Sequence, residues 1–156
     1  MPNPMTGGCQ CGAVRFRVDG PVGRASICHC RMCQKATGGF FGPYVSAHGV
    51  TWTRGEPKRF ASSNRVRRGF CGECGTTLTF EYSAEVTELA IGAFDDPTPL
   101  APVIQMELGQ RLPWFEDLAG LPTRTPAEQA DYAKWSGAIV SNQHPDHDTD
   151  AWPPVR

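Results

Sequence analysis

Seven cysteines crowd the first half of the chain in three tight groups: Cys9 and Cys11; Cys28, Cys30 and Cys33; Cys71 and Cys74. Thiols spaced this closely are used either as disulfides or as metal ligands. The number is odd, the spacings are very short, and residues 1–8 carry neither a basic start nor an apolar stretch that would signal export. These features argue against a disulfide framework and for thiolate ligands in a reducing, cytoplasmic compartment. Bare thiolates at such spacing repel one another, and a divalent cation is what makes the grouping tolerable.

The spacing says more. Cys9-x-Cys11 and Cys71-x-x-Cys74 are each followed directly by glycine, Gly12 and Gly75. That is the layout of a zinc knuckle, and two such pairs supply the four sulfurs of a closed structural site. The segment Cys28-His29-Cys30-Arg31-Met32-Cys33 offers three sulfurs and no fourth cysteine. Three protein ligands with one position left for water or substrate is how catalytic zinc sites are built. Spacing alone leaves another partition open, with Cys9, Cys11, Cys28 and Cys30 set against Cys33, Cys71 and Cys74.

The rest of the chain reads as short strands. With 17 glycines and 14 prolines in 156 residues, turns are frequent, which argues against a helical bundle or coiled coil. Val14, Phe16 and Val18 alternate with Arg15 and Arg17, the period of a half-buried strand within 13–18. Further strands are expected at 22–27, 40–45, 50–53, 58–60, 65–70, 77–82, 88–94 and 103–108, with one helical turn at 34–37. The expected class is mainly β, with short antiparallel sheets and a short C-terminal helix at 126–136. That helix is announced by Thr125-Pro126-Ala127-Glu128, a capping box with proline at the first helical position. The expected division is a zinc-binding domain over 1–121 and a helix with a flexible tail over 122–156. No apolar run reaches the roughly 20 residues of a membrane span. The net charge of -1 removes a whole-chain case for nucleic-acid or membrane-surface binding, although residues 1–80 carry +8 and residues 81–156 carry -9.

Other residues invite two readings. His29 could be a fourth ligand, an acid or base, or a solvated loop residue. Arg54, Lys58, Arg59, Arg65, Arg67 and Arg68 could receive an anionic thiol or form a solvated strand face. Phe40, Phe41, Tyr44, Trp52, Trp114 and Phe115 could wall a pocket or fill the core. The tail segment His144-Pro145-Asp146-His147-Asp148 has metal-binding composition without a rigid frame.

Three motifs in order, Gly-Gly-Cys-x-Cys-Gly-x-Val-Arg-Phe at 7–16, Cys-His-Cys-x-x-Cys-Gln-Lys-x-Thr-Gly at 28–38 and Phe-Cys-x-x-Cys-Gly-Thr at 70–76, resemble the glutathione-dependent formaldehyde-activating enzyme family, which includes the centromere protein V branch. The resemblance runs over roughly 7–120, and Leu112-Pro113-Trp114 fits its late segment. It implies a β-tent fold and two zinc ions per chain. By the same resemblance Cys9, Cys11, Cys71 and Cys74 match the structural zinc, and Cys28, Cys30 and Cys33 the catalytic one. The implied reaction joins glutathione and formaldehyde into S-(hydroxymethyl)glutathione, formally a carbon–sulfur lyase in reverse, with a small-molecule thiol such as glutathione as partner. One departure is Gln10, where the family often has histidine.

The mechanism expected from both lines places a substrate thiol at Cys28, Cys30 and Cys33, with His29 or water returning the proton. Two alternatives belong to other classes. One is a non-catalytic zinc-stapled interaction module. The other is a thiol sensor that releases zinc on oxidation. Nucleic-acid binding is disfavoured by the acidic second half.

Overall fold

The computed structural model describes residues 4–153 and is mainly β, with ten strands in two sheets. The smaller sheet has the order β1-β2-β5, formed by β1 (Met5–Gly8), β2 (Arg15–Val18) and β5 (Val50–Arg54). The larger contains β3 (Val22–Cys28), β4 (Gly42–Ala47), β6 (Lys58–Ala61), β7 (Arg67–Phe70), β8 (Thr77–Glu81), β9 (Thr87–Ala90) and β10 (Ile104–Met106). Its order is β10-β3-β4-β9-β8-β7-β6. Every pairing is antiparallel except that of β10, which runs parallel to β3 and sets Met106 opposite Cys28.

Most of the expected strands form, with ends moved by one to three residues. The expected strand at 88–94 stops at Ala90, where Ile91–Ala93 turns into a single 3-10 turn. Strand β1 was not expected. Its glycine-rich sequence carries little strand propensity, and it is held by its pairing with β2.

The core lies between the sheets. Phe16, Leu78, Leu89 and Val45 are fully buried, and Phe16 meets Phe94 and Trp52 edge-on with ring centroids 5.1 and 5.9 Å apart. Each fully buried large apolar side chain contributes about 1.5–3 kcal/mol of transfer free energy. Trp52 thus packs against the core.

Two α-helices are present among the described residues. Helix α1 (Arg31–Thr37) is longer than the single turn expected and starts at Cys30, its N-cap. Helix α2 (Pro126–Ser136) forms where Thr125 and Glu128 close their capping box, and none of its residues is buried. No helix among the described residues is long and apolar enough to cross a membrane.

Residues 144–152, expected to be flexible, contain no regular element yet return to the first knuckle. His144 is buried, and its amide donates to the Gln10 carbonyl at 2.7 Å. The Trp152 indole donates to the Cys11 carbonyl at 2.6 Å, and Asp148 pairs with Arg15 at 2.8 Å. Arg54 donates to the Thr149 carbonyl and to Gly12, so it serves the tail. The partners of the tail lie 90 or more residues away from it in sequence, beyond the reach of any local pattern.

Candidate metal centres

The fold gathers the cysteines into two groups whose sulfurs lie within 4.8 Å of one another: Cys9, Cys11, Cys71 and Cys74; and Cys28, Cys30 and Cys33. This is the four-and-three partition, and the mixed alternative does not form.

In the first group each knuckle is a tight turn. Gly12 donates to the Cys9 carbonyl and Gly75 to the Cys71 carbonyl, and both glycines sit at positive φ, 81° and 79°. The turns aim amide hydrogens at sulfur: Val14 donates to Cys9 Sγ at 3.3 Å and Glu73 to Cys71 Sγ at 3.4 Å. One knuckle joins β1 to β2 and the other β7 to β8, so the group links the two sheets. Burial pushes the Cys11 thiol up to about 12, and the neighbouring sulfurs of Cys74 and Cys9 add to it against an opposing amide from Ala13. Cys74, the exposed member, goes down to about 6 because hydrogen bonds from Thr76 and Cys11 outweigh its burial.

The second group is built by β3, α1 and β4. Cys28 ends β3 and lies opposite Gly42, the first residue of β4. Cys30 caps α1, its sulfur accepting from the Cys33 amide at 3.3 Å. Thr37, at the end of the same helix, donates to the carbonyls of Cys33 and Phe41 and fixes the return of the chain. Burial raises Cys28 to about 12, and the charges of Cys33 and Cys30 add to that. Cys33 is also raised by burial, against the opposing hydrogen bond from Arg68. Cys30 is lowered: its burial is outweighed by hydrogen bonds from Cys33 and Cys28 and by the Arg68 charge.

In each group burial and neighbouring sulfurs push one thiol up to about 12, Cys11 in the first and Cys28 in the second, so a bare set of thiolates is disfavoured. All-sulfur donor sets with amide hydrogens turned toward them suit a thiophilic divalent ion such as zinc, four donors closing one site and three leaving the other incomplete. Both groups could hold a metal on these grounds.

Behind the second group lies a cavity of about 710 Å³. Cys28, Cys30 and Cys33 form part of its wall together with Met32, Tyr44, Phe80, Tyr82 and Met106, while Arg24, Arg68, Glu88 and Glu107 bring charge to it. This is within the size range of small-molecule sites.

His29 departs from expectation. Its ring is fully buried, packs edge-on against Phe115 at 4.7 Å between centroids, and shares a 2.9 Å hydrogen bond between Nε2 and Gln105 Oε1. The sulfurs of its flanking residues group together without it. In an extended segment alternate side chains point to opposite faces, so a histidine between two inward cysteines is carried away from them. The reading as fourth ligand and the reading as solvated loop residue are both set aside by this packing. Phe41 and Phe115 pack around it, and Phe40 meets Trp114 nearby. Gln34, given no role by the sequence beyond its place in the 28–38 motif, is buried and donates from Nε2 to the carbonyls of His29 and Gln110.

Among the basic residues, Arg59 pairs with Glu81 at 3.0 Å, and Arg65 and Arg67 are exposed. Arg68 is different. It is buried, and it donates to Cys33 Sγ at 3.3 Å, to the Tyr44 hydroxyl at 3.1 Å and to Ser62 Oγ at 2.9 Å. The alternation of Val66, Arg68 and Phe70 was the available signal, since it puts Arg68 on the same strand face as two apolar residues.

Comparison with known proteins agrees with this geometry. An uncharacterized lyase of Schizosaccharomyces pombe is 31% identical over 78 residues, which cover 49% of this chain and 57% of that relative's length. The sequence profile of the glutathione-dependent formaldehyde-activating enzyme matches residues 4–108, a stretch that contains both cysteine groups and every strand of both sheets. The chain belongs to the glutathione-dependent formaldehyde-activating enzyme family.

Proposed function

We propose that the protein is a zinc-dependent carbon–sulfur lyase that acts on a thiol adduct, making or breaking S-(hydroxymethyl)glutathione or a close relative. The observation that carries this reading is the placement of three clustered sulfurs in the wall of a cavity large enough for a tripeptide-sized thiol. Cys28, Cys30 and Cys33 would hold the second zinc, and Cys9, Cys11, Cys71 and Cys74 the structural one. A zinc ion bound by the three sulfurs would supply a lowered pKa to a thiol in the cavity.

In the synthetic direction the substrate thiolate attacks the aldehyde carbon. The C–S bond forms, the C=O π pair moves to oxygen, and that oxygen takes a proton. The reverse breaks the C–S bond and returns thiol and aldehyde. His29 does not line the cavity and its Nε2 is engaged by Gln105, so water entering the cavity is the proton source in this reading. Arg24, exposed at the cavity and without an ion pair among the described residues, is placed to meet a substrate carboxylate. Glu107, also at the cavity, could meet an ammonium group. Residues 1–121 would carry the activity, with 122–156 as an appended helix and tail. Seven unpaired cysteines suit a reducing cytoplasm.

The test combines metal analysis with turnover. Because thiols add to formaldehyde without help, exchange between glutathione, formaldehyde and the adduct is measured at equilibrium by magnetization-transfer NMR. The expected result is two zinc ions per chain and accelerated exchange. Cys30→Ser should lose the acceleration and keep the zinc of the four-sulfur site. One zinc per chain with no acceleration in the unaltered protein would refute the enzyme reading and leave the interaction module; reversible zinc loss with peroxide instead would favour the sensor.

A further inference from the structure

We infer that Arg68 is a positioning residue that allows the three-sulfur cluster to accept an anionic sulfur rather than a neutral donor. This rests on the thiol-binding reading above and names what makes that binding selective.

A guanidinium stays protonated under all ordinary conditions, and burying it without a negative partner is costly. Arg68 is 1% exposed. Arg15, also buried, is bracketed by two carboxylates, Asp95 and Asp148. Arg68 has no carboxylate partner among the described residues. It touches Ser62, Tyr44 and Cys33, and the Phe80 ring lies 4.8 Å beneath its guanidinium carbon. Of these, the Tyr44 hydroxyl is kept neutral, pushed up to about 12 by burial. The negative charge that faces Arg68 would come from the sulfur cluster, through Cys33, once a divalent ion holds its sulfurs as thiolates.

Charge counting shows the consequence. Three thiolates around a divalent ion sum to -1, and a fourth sulfur entering as thiolate brings the total to -2. Arg68 returns it to -1 within a half-enclosed, largely apolar wall where solvent screens poorly. The four-sulfur group meets the same total differently. Among the described residues no arginine donates to its sulfurs; amides of Val14 and Glu73 do, and Cys74 is open to water. A guanidinium has five N–H donors, and three of those of Arg68 are committed to protein atoms. The arginine that contacts the sulfurs thus belongs to the cluster that lines the cavity.

The experiment uses cobalt(II)-loaded full-length protein and two probes, glutathione as an anionic sulfur donor and imidazole as a neutral one, followed by the visible spectrum of the metal. Arg68→Gln should weaken glutathione binding by about 30-fold, the factor equivalent to about 2 kcal/mol, with imidazole binding unchanged. Arg68→Lys should restore part of the glutathione affinity, since it keeps the charge and loses the fork of donors. Retention of cobalt at the four-sulfur site checks folding. Should Arg68→Gln fail that check, Tyr44→Phe loosens the guanidinium more gently and should produce a smaller loss confined to glutathione. Equal weakening of both probes would reduce Arg68 to a structural part, and unchanged binding of both would overturn the inference while leaving the proposed enzyme standing. If the unaltered protein takes no glutathione, both fall.

Discussion

Gly12 and Gly75 form a matched pair from which the contribution of the tail can be isolated. Each follows the second cysteine of its knuckle, each donates its amide to the first cysteine's carbonyl, and their φ angles differ by 2°, at 81° and 79°. An L-residue in this left-handed region costs roughly 1–2 kcal/mol. What differs is the surroundings. A Cβ on Gly75 would meet nothing within 4 Å, whereas one on Gly12 would lie 2.1 Å from His144 Cδ2 and 2.9 Å from its Cβ. His144 cannot simply rotate away, because the clash includes its Cβ and its amide is bonded to Gln10. Gly12→Ala should therefore expel the tail. Lost with it are the Trp152 hydrogen bond, worth about 1 kcal/mol, the ion pair of half-exposed Asp148 with Arg15, worth under about 1 kcal/mol, and the burial of His144. The expected cost is about 3–4 kcal/mol for Gly12→Ala and about 1–2 kcal/mol for Gly75→Ala, read by urea denaturation at fixed excess zinc. In a chain ending at Ser141 the two substitutions should cost the same. Equal costs in the full chain, or an excess for Gly12→Ala that survives truncation, would refute the reasoning.

Two other outcomes test the site and its frame. A Cβ at Gly42 would lie 2.7 Å from the Tyr44 ring, 2.9 Å from Cys33 Cβ and 3.2 Å from Cys33 Sγ, so Gly42→Ala should lower metal content at the three-sulfur group and spare the four-sulfur group, as elemental analysis would show. Burial alone would raise the Asp95 carboxyl, but hydrogen bonds from Arg15 and Thr6 and the Arg15 charge outweigh it and hold it below the usual range. A lowered folded value means that its stabilisation is complete above about pH 4 and drains as pH falls through that lowered value. Asp95→Asn should cost about 3 kcal/mol at neutral pH by leaving Arg15 with Asp148 alone, and should flatten the loss of stability as pH falls below about 4; an unchanged acid limb would count against the Arg15–Asp95 account.

What was legible in the sequence was what depends on near neighbours. The Val14, Phe16, Val18 alternation marks β2, the Thr125–Glu128 capping box marks the start of α2, and the glycine-terminated cysteine pairs mark both knuckles. What was not legible depends on distant partners. Arg15 sits at a position that alternation assigns to solvent, yet it is 2% exposed because Asp95 and Asp148 reach it from 80 and 133 residues away. The tail looks disordered by composition because the groups that hold it, Gln10, Cys11 and Arg54, belong to the knuckle and β5. His29 failed as a fourth ligand for a local reason: its two neighbours in sequence join the sulfur group, while its own ring is packed on Phe115 and bonded to Gln105.

The two cysteine groups are bound into one design by β7. That strand carries Arg68 to the cavity, and three residues later the chain reaches Cys71 of the four-sulfur group. At about 3.3 Å per residue the two points are roughly 10 Å apart along the chain. The direction of support is set by chemistry. Four sulfurs complete a tetrahedral set from the chain alone, so that group can close during folding and contribute its binding free energy to the fold. Three sulfurs cannot complete the set, and their group draws its remaining order from a frame held elsewhere: Gly42 behind Cys33, Thr37 on the Cys33 carbonyl, Gln34 beneath His29, and Arg68 from a strand whose end the other group fixes. A group one donor short of a closed set is rigid only to the extent that its surroundings are. In this chain the closed cluster and the two sheets it links provide that rigidity, and the incomplete cluster faces the cavity.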